Sequence, residues 1–140
     1  MNVLIDTSSW SLALRRQSSS SENPVVVEFK ELIRESRVEM IGAIRQEILS
    51  GIKVRAQFET LRDQLRFYPD LPLIAADYEK AAEFFNINRQ KGVQGSNTDF
   101  LICAVAHRYN LAVFTADKDF SHFQQHIPLV LHTPESREET

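Results

Sequence analysis

Four short apolar runs punctuate this chain, Val3-Leu4-Ile5, Val38 to Ile41, Ala112-Val113-Phe114 and Leu129-Val130-Leu131, and long stretches of helical periodicity separate them. Runs this short and this apolar read as strands, and strands alternating with helices imply a parallel sheet covered on both faces. The helical pattern predicts a helix beginning near Trp10, and another from Val25 through Val26, Phe29, Leu32 and Ile33. It then predicts two helices over residues 43–66 parted by Gly51, one from Ala75 to Lys91, one from Ser96 to Tyr109, and a short one from Lys118 to Gln124. The polar, breaker-rich stretch from Ser18 to Ser21, followed by Glu22-Asn23-Pro24, reads as an exposed connection. There is no internal repeat, so the 140 residues are expected to form one domain, with a flexible tail at about 134–140.

Ligands of open parallel sheets bind beyond the carboxyl ends of the strands. Asp6 and Asp117 stand just past two such ends, and they belong to a set of four acids in apolar settings. Glu47 lies in the half-apolar segment Ile44 to Leu49, and Asp99 opens the run Phe100-Leu101-Ile102-Cys103-Ala104-Val105-Ala106. A bare ionised carboxylate is costly to bury unless it is paired or coordinated, and few cations in the sequence are placed to pair all four. A bound divalent metal resolves the conflict, and an oxygen-only donor set without a Cys or His cluster favours Mg²⁺ or Mn²⁺ over zinc.

Each acid also has an architectural reading. Asp6 is a good helix N-cap, although Thr7, Ser8 and Ser9 would cap equally well. Glu47 borders the stripe of Ile44, Ile48, Gly51 and Ile52 on a helical wheel instead of opposing it. Ser96 and Asp99 have the spacing of a capping box, yet Asp99 shares the wheel face of Ile102, Cys103, Val105 and Ala106. Asp119 reads as a first-turn acid of the last helix, and Asp117 as a site residue. Thr115 and Ser9 are hydroxyls placed to orient these acids.

A formal charge of −3 argues against a protein that holds nucleic acid by bulk electrostatics, although bound divalent ions would offset more than that deficit where a phosphate would sit. Arg15-Arg16 and the pair Lys53 and Arg55 read as solvated charges. The single cysteine, Cys103, reads as core, and His107, His122, His126 and His132 lack the tight pairing of a zinc site. Trp10, Phe84, Phe85, Phe100 and Phe114 stand at spacings of core packing. No apolar run approaches the length of a membrane span and the start lacks a secretory pattern, so a cytoplasmic protein is expected.

The four acidic motifs together match a known pattern. Val3-Leu4-Ile5-Asp6-Thr7-Ser8-Ser9-Trp10, Glu47 in the helix after the second strand, Gly95-Ser96-Asn97-Thr98-Asp99 with its apolar run, and Val113-Phe114-Thr115-Ala116-Asp117-Lys118-Asp119-Phe120 resemble the PIN-domain family, most like its VapC-type toxins. The resemblance covers nearly the whole chain. It implies a three-layer α/β/α fold with a mostly parallel central sheet and a Mg²⁺- or Mn²⁺-dependent endoribonuclease that cleaves RNA. It further implies inhibition by a cognate antitoxin, frequent homodimers, and a catalytic quartet of Asp6, Glu47, Asp99 and Asp117 with Asp119 close to the metal. Two rival readings stand beside it: a non-catalytic PIN-like domain whose acidic pocket binds Arg-rich partner segments, and a phosphatase of the haloacid-dehalogenase kind. The second would want another Asp two residues after Asp6, where this chain has Ser8.

Overall fold

Val3, Leu4 and Ile5 are wholly buried and form β1 (Val3–Ile5), the central strand of the sheet in this computed structural model, which describes residues 1–15 and 23–134. On one side β1 pairs in parallel with β2 (Val38–Glu39), and on the other with β3 (Ala112–Phe114). The register sets Leu4 opposite Glu39 and Val113. Isolated parallel bridges widen the sheet at both edges, Met40 to Asp70 and Val113 to Leu131. A parallel sheet has no face that tolerates water, and the helices flanking this one supply the cover.

The helices are α1 (Thr7–Arg15), α2 (Pro24–Arg34), α3 (Gly42–Leu49), α4 (Arg55–Leu65), α5 (Ala75–Gln90), α6 (Asn97–Tyr109) and α7 (Asp119–Phe123). α6 packs on β1 and β3 and pairs along its length with α5, while α1 packs against α2 and α3. Every residue of α6 from Phe100 to Ala106 is buried, so this helix is apolar nearly all round, as a helix at the centre of a core must be. Cys103 is fully buried there, and burial raises its thiol pKa, with the Asp99 charge adding to the shift. Among the described residues no helix is long and apolar enough to cross a membrane.

Three expectations need correction. The run Leu129 to Leu131 is not a strand: Pro128 has no N–H to donate, and pairing is reduced to the Val113–Leu131 bridge, with Val113 N–H bonded to Val130 O and His132 N–H to Val113 O. The first helix begins at Thr7 and not near Trp10, because the Asp6 side chain accepts the Ser9 N–H and starts the helix directly after the strand. The second strand ends at Glu39 instead of Ile41, since Met40 turns its bonding to the segment at Asp70. The Ser18 to Ser21 stretch and residues 135–140 of the expected tail lie outside the described residues.

Two arginines tie joints between elements. Arg45 on α3 bonds Asp70 at 2.9 Å and Leu65 O at 3.0 Å, and it also reaches Tyr68 O. Arg108 on α6 forks onto both oxygens of Asp77 at 2.6 and 2.9 Å, and Tyr109 Oη donates to Pro72 O beside it. The Arg108 guanidinium holds the Asp77 carboxyl below its ordinary pKa, while Asp77 itself caps α5 through the Ile74 N–H.

Gly95 sits where the chain enters α6. A Cβ there would lie 2.6 Å from Phe123 Cζ and 2.9 Å from Phe100 Cε2, two rings whose centroids are themselves 4.6 Å apart. Gly95→Ala is therefore expected to destabilise the protein by about 1–3 kcal/mol through overpacking. The urea midpoint should fall with an unchanged denaturant slope, whereas an unmoved midpoint would mean that the rings yield freely.

Candidate active site

The backbone of Asp6 continues the ladder, its N–H bonding Phe114 O at 3.0 Å, so its side chain emerges at the carboxyl end of β1 beside that of β3. Only 4% of the residue is exposed. Oδ1 accepts the Ser9 N–H at 3.0 Å, the Ser8 hydroxyl reaches both oxygens at 2.9 Å, and Thr115 Oγ1 donates to Oδ2 at 2.6 Å. Capping and siting are thus one arrangement, since the oxygen that starts α1 belongs to the carboxylate at the sheet's rim. Burial pushes the Asp6 carboxyl above its ordinary pKa, against the opposing pull of Thr115, Ser9 N–H and Ser8.

Asp99 closes the expected capping box with Ser96: each residue's N–H bonds the other's side chain at 3.1 Å. Its pKa is also raised, first by burial and further by the negative charges of Asp117 and Asp6. Charges that act on one another in this way belong to three acids in one neighbourhood, held there by the fold against their repulsion. Asp117 is held by a local turn, its N–H on Thr115 Oγ1 at 2.9 Å and its Oδ1 accepting the Asp119 N–H at 2.9 Å. Thr115 therefore ties Asp6 to Asp117 through a single hydroxyl. Asp119 stays exposed in the first turn of α7.

Glu47 is exposed, and its Oε1 accepts the Thr7 hydroxyl at 2.5 Å. This bond links α3 to the residue next to Asp6, at the edge of an open cleft of about 610 Å³ lined also by Gln46, Ser50 and Thr98. Among the described residues none of the four acids forms an ion pair with Lys or Arg; the paired arginines go to Asp63, Asp70, Asp77 and glutamates. Nor, among the described residues, do any three His, Cys, Asp or Glu side chains gather closely enough to hold a metal as they stand.

Sequence reasoning named Ser9 as an orienting hydroxyl; its backbone N–H bonds Asp6 Oδ1 at 3.0 Å, and its side chain also acts to lower the Asp6 pKa. Ser8 orients Asp6 and Thr7 orients Glu47, two roles that the sequence reading missed. In a run of Thr7, Ser8 and Ser9, all three look like interchangeable caps, and local sequence carries no signal of which hydroxyl faces a partner 40 residues away.

A family model described as the PIN domain matches residues 3–125. This chain belongs to the PIN domain family. Among solved structures, this PIN domain is similar to FitAcB from Neisseria gonorrhoeae, at 20% identity and a TM-score of 0.72, over 95% of this chain and 98% of the other. It is likewise similar to VapBC2 from Rickettsia felis bound to a DNA fragment from their promoter, at 20% identity and a TM-score of 0.74, over 94% and 98%. PAE2754 from Pyrobaculum aerophilum is a more distant likeness, at 15% identity and a TM-score of 0.56, over 91% and 90%. At such identities these likenesses speak to the fold, and the parallel sheet with its flanking helices matches the expected PIN-like α/β architecture. Comparison with curated proteins found no sequence match. PIN domains are in general hydrolytic nucleases that use divalent metal ions.

Proposed function

We propose that this PIN domain is a Mg²⁺- or Mn²⁺-dependent endoribonuclease, the toxin of a toxin–antitoxin pair, acting as one domain in the cytoplasm. The observation that carries the reading is the convergence of Asp6, Asp99 and Asp117 from β1, α6 and the exit of β3, close enough to raise the Asp99 pKa, with no Lys or Arg paired to them among the described residues. Structural acids are normally matched by cations, as Asp70 and Asp77 are here, so unmatched acids at a sheet's carboxyl rim are the pattern of a cation site.

In this reading Asp6, Asp99 and Asp117 would hold the metal, with Glu47 at the edge and Asp119 within reach of it. A bound divalent ion supplies positive charge at the scissile phosphate and favours deprotonation of water at neutral pH. Thr115 and Ser8 keep the Asp6 oxygens turned toward the rim, and the Ser96 box fixes the rotamer of Asp99. Glu47, free on one oxygen of its Thr7 bond, orients the attacking water from the cleft side. The same acidic rim suits the guanidinium of an antitoxin arginine, which would inhibit by occupying the cation's place. A homodimer completes the proposal, with apolar side chains such as Tyr78 and Ile74 exposed on and beside α5.

A non-catalytic domain that binds Arg-rich segments draws support from the lack of any three acids at ligand spacing among the described residues. A phosphatase of the haloacid-dehalogenase kind is disfavoured by Ser8, which bonds Asp6 where that chemistry needs a second carboxylate. Incubating the purified chain with a structured RNA pool, with Mn²⁺ or with EDTA, and mapping the ends separates these readings. Many turnovers that EDTA stops are expected; no cleavage even at stoichiometric protein would reject the nuclease.

A further inference from the structure

The cleft beside the acids has a lining that the proposed chemistry does not use. Its walls are Thr7, Ala43, Gln46, Glu47, Ser50 and Thr98. Ala43, Gln46, Glu47 and Ser50 fall at i, i+3, i+4 and i+7, so they form one stripe along α3, opposed by the first turn of α6 at Thr98. Thr7 follows Asp6 and Thr98 precedes Asp99, so a group seated in the cleft is an immediate neighbour of whatever the quartet holds.

The lining contains no Lys, Arg or His, and its one charge is the negative Glu47. A phosphate would be repelled there, whereas a neutral group with donors and acceptors would not. The lining is also free of aromatic rings, so a base held here is recognised by its edge and not by stacking. The cleft's volume of about 610 Å³ falls within the range of small-ligand sites, and it is open enough for a polymer to enter sideways. Ser50 donates its hydroxyl proton to Gln46 O at 2.7 Å, which leaves Ser50 as an acceptor only. The exposed Gln46 amide, by contrast, presents a donor and an acceptor side by side, and no hydrogen bond among the described residues occupies it.

We propose that this cleft is a nucleobase subsite, in which Gln46 reads the edge of the base next to the cleaved phosphate. A planar amide matches paired donor and acceptor groups on a base edge, and such contacts discriminate between bases by about tenfold or more. The inference rests on the ribonuclease reading, because that reading makes the neighbouring group a nucleotide.

The test cleaves a sequence-randomised RNA with the wild type, Gln46→Ala and Gln46→Leu, and reads base frequencies at each position around the cut. The wild type should show one base enriched about tenfold at one fixed position. Both variants should lose that enrichment, with cleavage at the preferred site falling toward that at the other bases, while the Mn²⁺-induced rise in melting temperature persists. An enrichment that survives in the variants, or a wild type with none, overturns the proposal and leaves the nuclease reading standing. If the wild type cuts nothing, the nuclease reading fails separately, and anisotropy titrations with the four homopolymeric deoxyoligonucleotides then decide. A base preference abolished by Gln46→Ala keeps the subsite, and identical profiles remove it.

Discussion

Asp6→Asn is expected to lower RNA cleavage by about three orders of magnitude, roughly 4 kcal/mol of transition-state stabilisation, while raising the melting temperature of the metal-free protein. The two effects share one cause. Burial pushes the Asp6 carboxyl above its ordinary value of 3.8, so folding favours its protonated form. A carboxyl raised in this way adds stability below the unfolded value, and the contribution is lost as pH rises through the folded one. At neutral pH the ionised group is a burden on the metal-free fold, and it also raises the pKa of Asp99. An Asn keeps one oxygen for the Ser9 N–H and turns its NH2 toward Thr115, whose hydroxyl must then accept instead of donate, and it brings no charge to hold a cation. Saturating Mn²⁺ at about 100-fold over its dissociation constant should stabilise the wild type by about 2.7 kcal/mol, several degrees of melting temperature, and Asp6→Asn or Asp99→Asn by much less. Differential scanning fluorimetry between pH 4 and 8, with and without Mn²⁺, reads all of this at once. Equal metal shifts in the three proteins, or cleavage retained by Asp6→Asn, would dissolve the assignment.

The parts of this fold legible in the sequence are those that local pattern encodes. Val3-Leu4-Ile5 and Ala112-Val113-Phe114 have no polar side, so they had to be two-face-buried strands, and they are β1 and β3. The run at Leu129 to Leu131 looks the same over three residues, yet the proline before it and its position outside β3 leave one bridge. The acids were legible because a carboxylate inside an apolar pattern conflicts with its surroundings. Of their escorts Thr115 was legible as a hydroxyl beside the acids, but Thr7 and Ser8 look like interchangeable helix caps until the fold turns one toward Glu47 on α3 and the other onto Asp6. Gln46 resembles any exposed helix amide, and only the fold turns its stripe toward Thr98. Pairings across long separations, Arg108 with Asp77 over 31 residues and His132 with Glu28 over 104, leave no local trace.

His132→Leu is expected to remove about 3–5 kcal/mol of stability, the usual loss when one partner of a buried ion-pair-type contact is deleted. His132 and Glu28 are 6% and 4% exposed, and the imidazole Nε2 meets Glu28 Oε2 between α2 and the segment that flanks β3. The Phe114 ring stands edge-on to the imidazole at 5.8 Å, and the His132 N–H bonds Val113 O at 2.8 Å, so the pair pins the outer edge of the sheet to a helix. Whichever nitrogen carries the proton, a leucine removes the imidazole that faces the Glu28 carboxylate and offers no hydrogen bond in return. The double replacement Glu28→Leu with His132→Leu should recover part of the loss, because the carboxylate that faced the imidazole is then removed with it. Chemical denaturation of the four proteins gives the coupling directly, and losses that simply add would mean that the two residues stabilise the fold independently. The pair flanks the strand that leads to Thr115 and Asp117 and is hydrogen-bonded to neither of them, so cleavage per folded molecule should stay within about twofold of the wild type. A collapse of turnover in a variant that remains folded would instead make this latch part of what holds the acidic rim in register.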